Sequence, residues 1–268
     1  MKNTTIGFIG AGNMASAIIG GIVKANLVQG SQIIAADPDQ KKLDELNKDY
    51  NIQSGDNKKT AETADILFLS VKPNLFPVVI NDIKDSVRPE TVIVSIAAGQ
   101  TLENIEKLFA KQIKLIRIMP NTPAFVGEAM SAICANENVS QDSLDKILTI
   151  CNSFGKAAVV PESMFHAIVG VSGSSPAYAF MFIEALADAA VLKGMPRTLA
   201  YKFAAQALLG SAKMILETEK HPGELKDMVC SPGGTTIEAV AVLEQMGFRN
   251  AVIDAAVACA EKSEEMSR

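Results

Sequence analysis

The sequence predicts an α/β fold in which a doubly wound parallel sheet precedes an all-helical domain. Over the first 160 residues, short β-rich apolar runs alternate with amphipathic helical patterns. Strands separated by helices pair in parallel through right-handed crossovers. After Pro161 the β-branched runs disappear, and the pattern stays helical, rich in alanine and leucine, to the end. We therefore divide the chain into residues 1–160 and 161–268.

Each predicted element follows from its hydrophobic period and length. The strands are Thr4–Ile9, Gln32–Ala36, Ile66–Ser70, Val92–Ile96, Lys114–Met119, Ala129–Ala135 and Ala157–Val160. Helices of the first domain include Met14–Lys24 and Leu102–Phe109, and those of the second are Glu162–Gly170, Pro176–Lys193, Arg197–Glu219, His221–Val229, Thr235–Gln245 and Phe248–Met266.

The composition excludes several classes of function. A net charge of −5 and the absence of a long basic run argue against nucleic acid and anionic membranes as partners. Four cysteines without C-x-x-C spacing favour a reduced, cytoplasmic setting, and two histidines make a multi-histidine metal site improbable. The first strand starts too early to leave room for a signal peptide.

Two stretches after residue 160 are so apolar that they are expected to be buried. Ser163–Ile183 has no charged residue but contains Ser-Gly-Ser-Ser-Pro, so we interpret it as a buried loop and helix start, not a membrane span. Ala204–Met214 is apolar around most of a helical circumference, which predicts a buried helix. Because this domain is too small to surround that helix, we expect self-association as a homodimer or higher homo-oligomer.

A glycine motif opens the first predicted helix. It follows an apolar strand, as a Rossmann dinucleotide fingerprint requires. Gly10 permits the tight turn, Gly12 lets a pyrophosphate approach the backbone, and Ala15 allows close helix–strand packing. We assign the whole motif to cofactor binding: Gly10, Ala11, Gly12, Asn13, Met14 and Ala15.

Asp37, at the end of the second strand, bears on the choice of cofactor. An acidic side chain there accepts hydrogen bonds from a ribose 2′-hydroxyl, which favours NADH. Lys41 and Lys42 could instead serve the 2′-phosphate of NADPH. Two further strand ends lie where parallel sheets bind ligands, and we assign them to the cofactor: Ser70, Val71, Lys72 and Pro73, and Ala97, Ala98 and Gly99.

The segment Ser231-Pro-Gly-Gly-Thr-Thr236 predicts an anion-binding loop before a helix. Gly233 and Gly234 free the backbone to aim several N–H groups at one spot, which suits a small carboxylate or phosphate. Ser231, Thr235 and Thr236 add hydroxyl groups without charge. Thr235 and Glu238 also have the spacing of a capping box.

Six ordered segments resemble the pyrroline-5-carboxylate reductase family, and the loop just described resembles its signature. The six are Ile6–Ala15, Ser70–Pro73, Ser95–Gly99, Met119–Pro123, Gly170–Tyr178 and His221–Lys226. Together they cover nearly the whole chain, so the resemblance rests on much more than a lone glycine motif.

The resemblance implies reduction of 1-pyrroline-5-carboxylate to L-proline, the last step of proline biosynthesis, with hydride from NADPH or NADH. It implies an all-α dimerisation domain and an active site that combines the nucleotide domain of one subunit with helices of its neighbour. Thr236 would hydrogen-bond the ring nitrogen as the catalytic residue, the loop and Ser174 would bind substrate, and Asn121 would contact the cofactor. Many family members use NADPH, so the cofactor preference stays open.

Two alternatives compete with this interpretation. A hydroxyacid dehydrogenase of similar two-domain plan needs a proton donor, often a lysine soon after a glycine-serine motif. Here the first lysine after Gly170–Pro176 is Lys193, which counts against that alternative. A non-catalytic dinucleotide sensor would not need the anion-binding loop.

Overall fold

The computed structural model describes Met1 and residues 3–267 of the chain. The strands are β1 Ile6–Ile9, β2 Ile33–Ala36, β3 Gln53–Ser54, β4 Ile66–Leu69, β5 Val92–Ser95, β6 Lys114–Met119, β7 Ala129–Ala135 and β8 Gly155–Val159. The α-helices are α1 Asn13–Lys24, α2 Gln40–Tyr50, α3 Asn57–Thr63, α4 Phe76–Ile83, α5 Leu102–Phe109, α6 Gln141–Asn152, α7 Phe165–Ile168, α8 Ser175–Leu192, α9 Arg197–Thr218, α10 Pro222–Val229, α11 Thr235–Gln245 and α12 Phe248–Glu265. The predicted fold class is confirmed.

One sheet contains all eight strands, in the order β3-β2-β1-β4-β5-β6-β7-β8. The first six strands pair in parallel. Strand order reverses between β1 and β4, and such a switch point opens a crevice at the carboxyl ends of the strands. The fold therefore places the glycine motif, which follows β1, at the usual ligand edge.

Parallel pairing is wrong for one pair of neighbouring strands, β6 and β7. β7 runs antiparallel to β6, while β8 pairs in parallel with β7. A parallel crossover needs roughly a dozen residues or more. Residues 120–128 between β6 and β7 are too few, and they form only a short 3₁₀ turn at Thr122–Val126. The sequence pattern also missed β3, whose two residues are exposed and carry no apolar signal.

Apolar side chains fill both faces of the sheet. On one face, α1 and α6 pack over β1 and β4, where the rings of Phe8 and Phe68 stack with centroids 4.7 Å apart. The opposite face is covered by α3, α4 and α5, with Phe76 and Phe109 fully buried. Burial on both faces explains why these strands are continuous apolar runs.

The chain forms two compact units. The first comprises Met1–Gly173 with the segment from Cys259 onward, and the second is Ser174–Ala258. Among the described residues the last strand ends at Val159. The predicted domain boundary at residue 160 stays a prediction, since the compact units divide the chain at a different point.

The helical unit leaves most of its apolar side chains uncovered. In α9 only Ala200 and Ala204 are buried, while Phe203 is 63% exposed and Leu216 is 80% exposed. The prediction that Ser163–Ile183 is buried is wrong for the single chain, in which most of this stretch is accessible to solvent. The helical stretch Glu162–Leu192 is long and apolar enough to cross a membrane, yet only 6% of its most apolar window is buried. These apolar faces are not covered within the single chain.

Candidate functional site

The glycine motif forms an open cradle at the start of α1. Gly10 has a φ of 96°, and a Cβ there would lie 2.6 Å from the Ser70 carbonyl oxygen. A Cβ on Gly12 would meet no atom within 4 Å, so the space above it is open. Gly12 is also the N-cap of α1, and no side chain caps the helix. The first N–H groups of α1 are therefore left for an anionic group.

The other predicted cofactor segments surround this cradle within the first unit. Asp37 follows β2, and Ser70–Pro73 follows β4, so they flank the glycine motif on its two sides. Ala97–Gly99 follows β5, one strand further along, and Gly99 has a φ of 73°. Lys72 is exposed, and the Ser70 Oγ is buried without a hydrogen-bond partner among the described residues. These residues fit a dinucleotide along the strand ends.

Asp37 is tied to the backbone on both sides of its carboxylate. Its Oδ2 accepts a hydrogen bond from the N–H of Ala11 at 2.8 Å, and its Oδ1 accepts one from the N–H of Asp39 at 2.9 Å. Lys42 Nζ lies 3.4 Å from Oδ1. Burial alone would raise the pKa of Asp37, but these hydrogen bonds and the Lys42 charge together lower it. The carboxylate is therefore ionised and fixed in place.

Asn121 has a structural role that the sequence did not reveal. It is buried, its side-chain amide donates to the Ser172 carbonyl at 3.0 Å, and its Oδ1 accepts from the Met130 N–H at 3.0 Å. Both polar ends of the amide are thus engaged with the backbone of the first unit. The predicted contact between Asn121 and the cofactor stays a prediction. For that contact Asn121 could use only the second amide hydrogen or the second lone pair of its side-chain oxygen.

The predicted substrate loop connects α10 and α11 in the second unit. Gly233 has a φ of 64°, which glycine adopts without strain. A Cβ on Gly234 would collide with Ser231 Oγ, and the Gly234 N–H bonds the Ser231 carbonyl at 3.0 Å. The loop therefore folds back on itself just before α11.

The predicted capping box is wrong. Gly234 is the N-cap of α11 and Thr235 is its first helical residue, so Thr235 cannot cap the helix. No side chain caps α11. Its first N–H groups are consequently available to a ligand, with the hydroxyls of Thr235 and the half-buried Thr236 on the same turn. Ser174, the N-cap of α8, belongs to the same unit.

The described residues contain no group of three or more His, Cys, Asp or Glu side chains that could hold a metal ion. Two of the four cysteines, Cys134 and Cys151, are buried, and burial raises the pKa of each thiol to about 12. Neither is suited to act as a nucleophile. The groups available to bind ligands are thus backbone N–H groups, hydroxyls and the glycine motif at the start of α1.

Two family models match separate parts of the chain. Residues 162–266 match the family model for pyrroline-5-carboxylate reductase dimerisation. Residues 5–99 match the model for NADP oxidoreductase, coenzyme F420-dependent. The second half is thereby a dimerisation domain, which accounts for its uncovered apolar helices.

Whole-length relatives are more specific. The pyrroline-5-carboxylate reductase of Escherichia coli is 52% identical over 98% of both chains. Among solved structures, the pyrroline-5-carboxylate reductase of Coxiella burnetii aligns over 100% of both chains with a TM-score of 0.92 and 34% identity. The Plasmodium falciparum pyrroline carboxylate reductase with NADP bound aligns equally fully, with a TM-score of 0.91 and 32% identity. The hydroxyacid dehydrogenase alternative is not favoured, and the chain belongs to the pyrroline-5-carboxylate reductase family.

Proposed function

We propose that this protein reduces the C=N bond of 1-pyrroline-5-carboxylate to give L-proline, using NADPH or NADH, as the last step of proline biosynthesis in the cytoplasm. The observation that carries the proposal is the uncapped N-terminus of α11 behind the Ser231–Thr236 loop, in a chain of this family. That helix end offers N–H groups and hydroxyls to a small carboxylate without a competing side chain.

Gly12 and the α1 N-terminus would hold the cofactor pyrophosphate. The open space at Gly12 allows the diphosphate to approach the backbone, and the unbonded N–H groups of α1 complement its charge. The strand-end residues Ser70 and Ala97 would line the remainder of the bound dinucleotide. When bound, NAD(P)H supplies the hydride that the imine carbon receives.

Thr236 is proposed to orient the substrate. Its hydroxyl, on the first turn of α11, would hydrogen-bond the ring nitrogen while the N–H groups of Thr235 and Thr236 and the Ser231 hydroxyl bind the carboxylate. Ser174 would add a further polar contact to the substrate. Because a cyclic imine is readily protonated in water, the site needs no strong acid, and positioning can supply up to about 7–11 kcal/mol.

Self-association is proposed to be a homodimer or a higher homo-oligomer. Large apolar side chains of α9 are exposed, including Phe203, Leu209 and Leu216, and exposed apolar patches of this kind mark interaction surfaces. A second copy of the dimerisation domain offers an equally apolar face.

Steady-state kinetics tests the proposed reaction. The purified protein should oxidise NADPH or NADH only when 1-pyrroline-5-carboxylate is added, and chromatography should recover L-proline in amounts equal to the cofactor oxidised. The same preparation should not reduce NAD(P)⁺ with 3-hydroxy acids. Turnover of a hydroxy acid without imine reduction would assign the protein to the alternative class.

A further inference from the structure

The β2–α2 turn of this chain carries two carboxylates where a cofactor with a 2′-phosphate would need cations and unbonded N–H groups. Asp37 directly follows β2, and Asp39 is the N-cap of α2. The Asp37 side chain is only 8% exposed and is held by the N–H groups of Ala11 and Asp39. It cannot swing away from an incoming ligand without breaking both bonds.

The N-terminus of α2 is also occupied. A helix N-terminus at this turn would suit a phosphate. Here the Asp39 carboxylate accepts the Lys41 N–H at 3.1 Å, and the N–H of Asp39 itself bonds Asp37. Two backbone donors at this turn, the N–H groups of Asp39 and Lys41, are therefore already bonded to side-chain carboxylates.

The charges along the adjoining groove do not compensate. This groove, of about 480 Å³, runs from Gly12 along α2. The charged residues that line it are two lysines and three carboxylates: Lys41, Lys42, Asp39, Glu45 and Asp49. Lys42 lies beside Asp37, so part of its charge is already neutralised. With Asp37 included, carboxylates outnumber ammonium groups two to one.

A ribose 2′-hydroxyl, by contrast, fits the turn. An ionised carboxylate offers about four acceptor positions, and the two backbone N–H groups use only part of them. A hydroxyl donates a hydrogen bond to such a carboxylate, whereas a phosphate dianion can only accept and is repelled. We propose that Asp37 and Asp39 together make this chain select NADH over NADPH. The inference rests on the proposed NAD(P)H-dependent reaction.

Direct binding separates this inference from the reaction itself. Isothermal titration calorimetry without substrate should give a Kd for NADH about tenfold or more below that for NADPH, because each carboxylate repels the 2′-phosphate across a few ångströms. Adenosine 2′,5′-bisphosphate should likewise bind more weakly than 5′-AMP. A wild-type protein that binds NADPH as tightly as NADH would overturn the inference, and one that binds neither would overturn the cofactor site as well.

Two variants and a control locate the effect. Asp39→Ser keeps an N-cap oxygen and removes the charge, so NADPH binding should tighten several-fold with little change for NADH. Asp37→Ser should lower the NADPH Kd relative to the NADH Kd by about tenfold, although loss of the Ala11 contact will weaken both. Asp44→Ser, also on α2 but outside the groove, should leave the ratio unchanged. An unchanged ratio in both Asp37→Ser and Asp39→Ser would contradict the inference.

Discussion

Arg117, buried in the first unit, forms an ion pair with the partly exposed Glu162. The Arg117 side chain is 1% exposed, and its Nη1 donates to Glu162 Oε1 at 2.8 Å. The guanidinium also lies 4.4 Å from the ring centroid of Phe165. The same Glu162 oxygen accepts the Leu102 N–H at 2.8 Å. One carboxylate thus joins β6, the start of α5 and the segment that leads out of the sheet.

Removing this carboxylate should destabilise the protein strongly. In Glu162→Ala the buried guanidinium would lose its counter-charge, a change that costs about 3–5 kcal/mol when both partners are buried. Because Glu162 is 31% exposed, we expect the lower end of that range. Urea unfolding measures the difference. Glu103→Ala, which breaks the exposed pair with Lys107, is the control and should leave the midpoint unchanged. Equal stability of the two variants would show that Arg117 needs no partner.

Gly12→Val should abolish dinucleotide binding without unfolding the protein. Gly12 has an ordinary φ of −75°, and its missing side chain faces open space, so valine fits the fold but fills the cradle. Gly10→Val is the contrast, because it would clash with the Ser70 carbonyl at a φ of 96° and should lower the melting temperature. Calorimetric titration with NADH and a thermal melt separate the two effects. Micromolar NADH affinity in folded Gly12→Val would place the cofactor elsewhere.

The stabilisation from Asp37 should depend on pH in a defined direction. Its pKa is lowered from the ordinary 3.8 in the folded state. The stabilisation is therefore complete above that value and is lost as pH falls through the folded pKa. The difference in unfolding free energy between the wild type and Asp37→Asn should be constant near neutral pH and shrink below about pH 4. A difference that grows on acidification would mean that the carboxylate is not stabilised by its N–H partners.

The helical unit should hold at least two chains together. Phe203→Glu places a charge on the exposed apolar face of α9 and should shift the mass measured by light scattering toward the monomer. Gln141→Glu, at the exposed start of α6, adds the same charge outside that unit and should not. A fully active wild-type monomer would contradict the assignment.

The apolar period of the sequence predicted most of the fold because most elements are long and amphipathic or fully buried. Lys114–Met119, Ala129–Ala135, Leu102–Phe109 and Thr235–Gln245 have the predicted bounds. The apolar period could not predict the direction of β7. Nothing in the composition of Ala129–Ala135 distinguishes antiparallel from parallel pairing, and only the short connection to β6 could have indicated it.

The site was less accessible to sequence reasoning. The Ser/Thr-x-x-Glu spacing suggested that Thr235 caps α11, but the glycine before it adopts the N-cap conformation instead. The bonds of Asn121 and Asp37 also stayed hidden, since each side chain bonds a backbone group far away in the sequence, Ser172 for Asn121 and Ala11 for Asp37. Long-range pairing of this kind leaves no periodic signal. The sequence could show which residue types stand at the strand ends, but not which donors they already occupy.

Thr236 provides the most direct test of the proposed substrate site. Thr236→Ala should lower turnover of 1-pyrroline-5-carboxylate by about five- to 150-fold, as expected for a lost hydrogen bond worth about 1–3 kcal/mol. Cofactor affinity should be unchanged, and Thr236→Ser should restore much of the activity. Because Gly234 and not Thr236 caps α11, the melting temperature should change little. Full turnover per folded Thr236→Ala enzyme would contradict the account and remove Thr236 from the catalytic site.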